Sequence, residues 1–166
     1  LTISVMCPLA LAEDANHAIR PWPDNPRYWQ YQGAPILLLG GTDDDNLFQW
    51  EADALETQLD RLVSAGGNVA RNTMSSRDAG NAQPFAQGED GRYDLDRWNP
   101  DYWDRFERFL KMTAERDIIV QIELFDPWDT YAAQWQTNPW NPKNNATYTT
   151  EDTQLEEAYE PPRYSG

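Results

Sequence analysis

The stretch GGNVARNTM, Gly66 to Met74, decides how this chain folds. Two glycines follow an amphipathic segment and precede a short, largely apolar run. The glycines suit the left-handed cap that ends a helix, and residues 68–74 suit a short strand. Upstream, residues 51–65 place Leu55, Leu59, Leu62 and Val63 at i, i+4, i+7 and i+8, which gives a helix one apolar face. Downstream, Asn99 and Pro100 are an N-cap and first-turn pair. Trp103, Phe106, Phe109, Leu110 and Thr113 then give a second helix a heavy aromatic face. Residues 118–125, IIVQIELF, read as another strand. Before the first helix, residues 34–39, APILLL, read as a buried strand entered through a hairpin that turns at Gly33 and ending at Gly40-Gly41. Residues 77–99, with Gly80, Gly88 and Gly91, read as a polar loop.

The order is therefore strand, helix, strand, helix, strand. Near-continuous apolar strands joined by helices predict an α/β fold with a parallel sheet buried on both faces. Parallel strands deliver the residues that follow them to one rim, where ligands bind. The first strand brings Thr42, Asp43, Asp44, Asp45 and Asn46, the second Arg71 and Asn72, and the third Glu123, Asp126, Trp128 and Asp129. Carboxylates, amides, an arginine and an aromatic plate suit a sugar, whose hydroxyls need paired donors and acceptors and whose apolar face stacks on a ring. Residues 126–148, DPWDTYAAQWQTNPWNPKNNATY, read as an ornate loop after the third strand.

Composition narrows the partners. In 166 residues, 28 Asp and Glu face 13 Lys and Arg, for a formal charge of -15. That balance argues against a phosphate-binding groove and against an anionic membrane, so neither nucleic acid nor membrane is an expected partner. A single Cys excludes an internal disulfide framework or a thiolate metal cluster. Eight Trp and 40% hydrophobic residues indicate a folded chain rather than an acidic tail. Residues 1–12, LTISVMCPLALA, are apolar and too short to span a bilayer, with Ala10 and Ala12 three and one before Glu13. They read as the remnant of a signal peptide, leaving residues 13–166 as the mature portion and a secreted or periplasmic location. Cleavage would remove Cys7, and no role is assigned to His17.

Residues 25–41, NPRYWQYQGAPILLLGG, with residues 65–78, AGGNVARNTMSSRD, and residues 91–129, GRYDLDRWNPDYWDRFERFLKMTAERDIIVQIELFDPWD, resemble the opening of clan A glycoside hydrolases, the (β/α)8 barrels of the cellulase-like group. The similarity covers residues 25–129. In that group the segment after the first helix reads G-x-N-x-x-R, matched here by Gly66 or Gly67, Asn68 and Arg71. The resemblance implies that Arg71 supports the catalytic nucleophile. It implies the N-terminal part of a TIM barrel, about three β/α units preceded by a β-hairpin, where a whole barrel needs about 250 residues. It also implies an O-glycosyl hydrolase acting on a poly- or oligosaccharide, without cofactor or metal. The acid/base Glu would follow strand four and the nucleophile Glu strand seven, both beyond Gly166, so this portion is expected to be inactive alone. Retaining chemistry needs two carboxyls about 5 Å apart, and Asp44, Glu123 and Asp126 cannot supply both without contradicting that order. Substrate-binding roles are expected for Arg71, Asn72, Asp44, Asn46, Glu123, Asp126 and Trp128. One departure stands out: the family's rim His on the third strand is replaced by Glu123-Leu124-Phe125-Asp126.

Plainer readings stand beside these. Arg71 can pair with the run Asp43 to Asp45, and that run can be a solvated turn, a helix cap or a calcium site. Glu123 shares a face with Gln121 by alternation, and an inward carboxylate requires a polar partner. Trp128, Trp135 and Trp140 fit either a sugar platform or a loop core. Asn145-Ala146-Thr147 fits a glycosylation acceptor. Two other classes remain open: a carbohydrate-binding module without catalysis, and an acidic, calcium-stabilised structural domain.

Overall fold

The protein is described by a computed structural model covering residues 18–130 and 132–155. The expectations for residues 1–12, for Cys7 and for His17 lie outside the described residues. The chain divides into two units, Leu1–Leu39 and Gly40–Gly166.

The first unit holds an antiparallel sheet of β1 (Arg20–Trp22), β2 (Asn25–Tyr31) and β3 (Ala34–Ile36) in that order. Tyr31 pairs with Ala34, and Gln32 and Gly33 between them both have positive φ, 49° and 79°. Two such residues form the mirror-image turn whose twist suits a hairpin, so the predicted turn at Gly33 is present. The buried strand expected over residues 34–39 is not. The turn commits the first half of the apolar run to antiparallel pairing with β2, and Leu37 and Leu39 are left exposed.

The second unit is built on a parallel pair, β4 (Val69–Thr73) and β7 (Ile119–Glu123), in register from Val69↔Ile119 to Thr73↔Glu123. The first strand of the expected sheet is reduced to one parallel bridge, Gly40↔Val69. The backbones approach so closely there that a Cβ on Gly40 would stand 2.0 Å from the Val69 carbonyl oxygen. Helix α1 (Ala52–Ser64) joins that bridge to β4 and ends as the two glycines predict. Gly66, at φ 81°, donates to the Val63 carbonyl and Gly67 to the Leu62 carbonyl, each at 2.9 Å, which is the Schellman arrangement. Its buried face is Leu55, Gln58, Leu59 and Leu62; Val63 is exposed, because at 100° per residue it falls off the stripe that Gln58 joins.

Helix α2 (Pro100–Ala114) carries the chain from β4 towards β7, and the Asn99 side chain caps it by accepting from the Asp101 N–H at 3.2 Å. Tyr102, Phe109 and Thr113 are its buried positions, with Trp103 and Phe106 packed beside them and Leu110 turned outward. Phe48, on a 3-10 turn Leu47–Gln49, meets Tyr102 and Phe106 edge to face at 4.9 and 5.8 Å. Both helices cover the same face of the parallel pair, where Ala70 and Asn72 are buried. On the opposite face Arg71 and Gln121 are exposed, and Leu124 and Phe125 lie open beyond β7. Burial of the strands on both faces is thus corrected, since both crossovers pack on one side.

Residues 77–99 also differ from the polar loop expected. They contain an antiparallel hairpin, β5 (Phe85–Gln87) and β6 (Tyr93–Trp98), in which Phe85 stacks on Trp98 at 5.3 Å. Gly91, at φ 78°, makes its turn. After β7 come a 3-10 turn Pro127–Thr130, α3 (Ala132–Thr137), a 3-10 turn Pro142–Asn144 and the short α4 (Thr150–Thr153), so the ornate loop is a chain of single turns.

Candidate active site at the carboxyl ends of the parallel strands

Arg71 and Glu123 meet across the parallel pair. The Arg71 guanidinium donates to Glu123 Oε2, and Thr73 Oγ1 donates to the same oxygen at 2.9 Å. Strand alternation explains the meeting: Arg71 and Thr73 share a face of β4 with Gln121 and Glu123 of β7. The polar partner required for Glu123 is therefore Arg71 together with Thr73. Arg71 does not pair with the Asp43 to Asp45 run. Arg61 takes Asp43 at 3.1 Å on the surface, and Arg77 takes Asp45.

Arg77 is the residue sequence reasoning missed. Its guanidinium is mostly buried and binds carboxylates from two loops: Asp45 after the Gly40 segment, and Asp126 and Asp129 after β7, at 2.8 and 3.2 Å. Ser75 Oγ accepts from Arg77 at 3.3 Å and donates to Asp129 at 2.8 Å. Burial pulls the guanidinium pKa down, but the hydrogen bond and charge of Asp45, followed by the bonds to Asp129 and Asp126, leave it above the ordinary Arg value. Burial pushes Asp129 up, against the pull of Ser75 and Arg77. Burial likewise raises Tyr102, helped by the Asp129 charge, and keeps its hydroxyl a neutral donor to the Met74 carbonyl at 3.1 Å. A signal for Arg77 existed: it lies just past β4, at the edge where the Asp45 and Asp126 loops converge.

The other expected site residues are placed as follows. Asp126 is almost fully buried; its Oδ2 faces Arg77 and its Oδ1 accepts the Trp128 backbone N–H at 2.9 Å. The Trp128 ring is exposed, as is that of Trp140, whereas Trp135 is buried in the loop core. The loop-core reading thus holds for Trp135, and Trp140 meets Phe85 edge to face at 5.3 Å. Asn46 is buried and donates to Asp78 and Asn81, both at 2.8 Å. Asp44 accepts from Trp50 Nε1 at 3.3 Å and from the Asp45 N–H at 2.7 Å. Asn72 has no accessible surface and accepts the Phe48 N–H at 3.2 Å, so its amide ties the 3-10 turn to β4. The structure thus brings Arg71 and Glu123 together in one group and Asp126 and Trp128 in a second with Arg77, while Asp44, Asn46 and Asn72 are engaged in local structure.

Beside the Arg77 cluster runs a groove of about 350 Å³, lined among others by Phe125, Asp126, Asp129, Pro84 and Trp140. Asn141, Asn144 and Asn145 donate to the carbonyls of Trp135, Asn138 and Pro139, three residues that line it. Asn145 is buried and donates to the Pro139 and Asn141 carbonyls while accepting from the Thr147 and Tyr148 N–H groups. The Asn145-Ala146-Thr147 acceptor pattern therefore falls on a side chain that the fold encloses. Among the described residues, no group of three or more His, Cys, Asp or Glu is arranged to hold a metal ion, and no helix is long and apolar enough to cross a membrane.

No family model matches the chain, and no curated protein matches it. Solved structures do. The chain is similar to a protein from Bacteroides vulgatus ATCC 8482 proposed to be a glycoside hydrolase, with a TM-score of 0.58 and 18% identity over 78% of this chain and 27% of that one. It is also similar to a glycoside hydrolase family 5 mannosidase from Rhizomucor miehei, with a TM-score of 0.51 and 15% identity over 82% of this chain and 36% of that one. At such identities the likeness shows the fold alone: the mixed α/β arrangement is shared with part of these glycoside hydrolase structures. The chain spans about a third or less of the length of these structures.

Proposed function

We propose that this chain is the N-terminal part of a cellulase-like glycoside hydrolase of clan A. It would cleave O-glycosidic bonds in a poly- or oligosaccharide, with the catalytic Glu pair supplied by chain beyond Gly166. The observation that carries the reading is the Arg71 and Glu123 pair, set near the carboxyl ends of two parallel strands in a unit whose fold is shared with glycoside hydrolases. In a (β/α)8 barrel that edge is where active sites are built. Arg71 is half exposed while paired, so its guanidinium stays accessible to a further carboxylate. Its role would be to hold the nucleophile ionised and oriented. The shares of 27% and 36% support a chain that continues through the remaining barrel units. Export to the periplasm or the medium is part of the proposal and rests on the cleavage pattern at residues 10–12.

The test is hydrolysis by the whole protein of a panel of neutral and charged polysaccharides and aryl glycosides, with released sugars resolved by chromatography. Release from at least one member is expected, and Arg71→Ala should lower kcat on it by about 10²-fold to 10³-fold. A folded protein that binds a glycan but breaks no glycosidic bond would replace this reading with the carbohydrate-binding module. Unchanged turnover by Arg71→Ala would remove Arg71 from the mechanism.

A further inference from the structure

We propose that Arg77 is a positioning residue that sets the Trp128 ring at the rim, acting through Asp126. The use of that ring as a sugar platform rests on the glycosidase reading; the positioning itself does not. The two nitrogens of the Arg77 fork do separate work. Nη2 holds Asp45 from the loop after Gly40, while Nη1 reaches Asp126 and Asp129 on the loop after β7. Asp126 passes the constraint on, because its second oxygen fixes the Trp128 N–H at 2.9 Å. Asp129 closes the turn from the other side: its own N–H donates to the Asp126 carbonyl at 3.0 Å, and its carboxylate accepts from Ser75 at 2.8 Å.

Charge makes the arrangement depend on Arg77. Without it, Asp45, Asp126 and Asp129 are three carboxylates in one partly buried site, and their repulsion would drive the Asp126 loop off the rim. Lysine keeps the charge but not the fork, since a single ammonium cannot serve acceptors placed on two guanidinium nitrogens. Arg77→Lys is therefore expected to preserve the fold while loosening Trp128.

Two readouts test this in the whole protein. With 5-fluorotryptophan incorporated, the fluorine resonance of Trp128 is assigned by its loss in Trp128→Phe. Arg77→Lys and Asp126→Ala should shift or broaden that resonance while those of the core tryptophans hold. Asp126→Asn, which retains an acceptor for the Trp128 N–H, should move it less. On a hydrolysed glycan, Arg77→Lys should raise KM about fivefold to tenfold, as Trp128→Ala does, with kcat within about twofold. The double variant Arg77→Lys/Trp128→Ala should be no worse than Trp128→Ala alone. A Trp128 resonance unmoved by Arg77→Lys, or strictly additive KM effects, would overturn the proposal. Should no glycan be hydrolysed, the glycosidase reading fails and the fluorine result still decides the role of Arg77.

Discussion

Arg71 pairs with Glu123 two residues further along the parallel register than its own partner, Gln121, and Thr73 shares the same carboxylate oxygen. The three groups differ in exposure, and their contributions to stability should differ with it. Arg71 is half exposed, and an ion pair of that kind contributes about 0 to 1 kcal/mol. Thr73 has no accessible surface, and Glu123 is its acceptor. Glu123→Ala strands the buried hydroxyl, which costs about 1 to 3 kcal/mol. Urea unfolding of the whole protein should therefore rank Glu123→Ala as more damaging than Arg71→Ala. Equal losses would make Arg71 a fold element and weaken its functional assignment.

Glycine substitutions should separate close approach from backbone conformation. Gly66 has open space around its missing Cβ but a φ of 81°, so Gly66→Ala should cost about 1 to 2 kcal/mol through strain alone. Gly40 has an ordinary φ, yet its Cβ would collide with backbone atoms of Val69, which cannot turn aside as a side chain can. Gly40→Ala should break the bridge to β4 and lower stability by about 3 kcal/mol or more. Denaturation midpoints check the order, and the reverse ranking would contradict the packing at Gly40.

Asn145 ties Pro139, which lines the groove, to the segment that follows through four side-chain bonds, all to backbone groups. Removing that amide strands two buried carbonyls and leaves two part-buried N–H groups without their acceptor, so Asn145→Ala should destabilise by about 2 to 4 kcal/mol. Asn145→Asp keeps the acceptor and loses the donors, and should fall between the two. Hydrogen exchange at the Thr147 and Tyr148 amides is the local readout. If Asn145→Ala leaves their protection intact, those amides do not depend on the side chain.

Local signals were the legible ones. The Gly66-Gly67 cap, the Asn99-Pro100 start, the Gly33 turn and the two amphipathic helices each depend on a few neighbouring residues, and each is present. The alternation that placed Glu123 beside Gln121 also pointed to the face where Arg71 waits. What the sequence concealed was pairing between distant segments. Residues 34–39 are as apolar as a buried strand, and nothing local states that β2 takes the first half of them. In the same way the hairpin of β5 and β6 hides among glycines because each strand is held by Phe85, Trp98 and Trp140 rather than by its own periodicity. Arg77 was overlooked because its three carboxylate partners lie 32 to 52 residues away.

Asp129 gives the cluster a pH dependence whose expected sign follows from its burial. Burial, with the nearby Asp126 charge, raises its pKa above the ordinary aspartate value near 3.8, although Ser75 and Arg77 pull the other way. A carboxyl with a raised folded pKa binds its proton more readily folded than unfolded, so acidification through that pKa favours the folded state, and the gain is complete below 3.8. Other groups slope oppositely: Asp90, Glu107 and Asp152 are lowered by bonds to Arg92, Lys111 and Thr149, and their contribution is lost as pH falls. Comparison with Asp129→Asn cancels those terms, because the variant keeps an acceptor for Ser75 and Arg77 without a titrating charge. Urea midpoints of the two proteins, measured from about pH 7 to about pH 4, should show the parent gaining on the variant as the pH falls. A difference that stays level over that range, or one that widens in the variant's favour, would mean that Arg77 already holds Asp129 at or below the ordinary aspartate range.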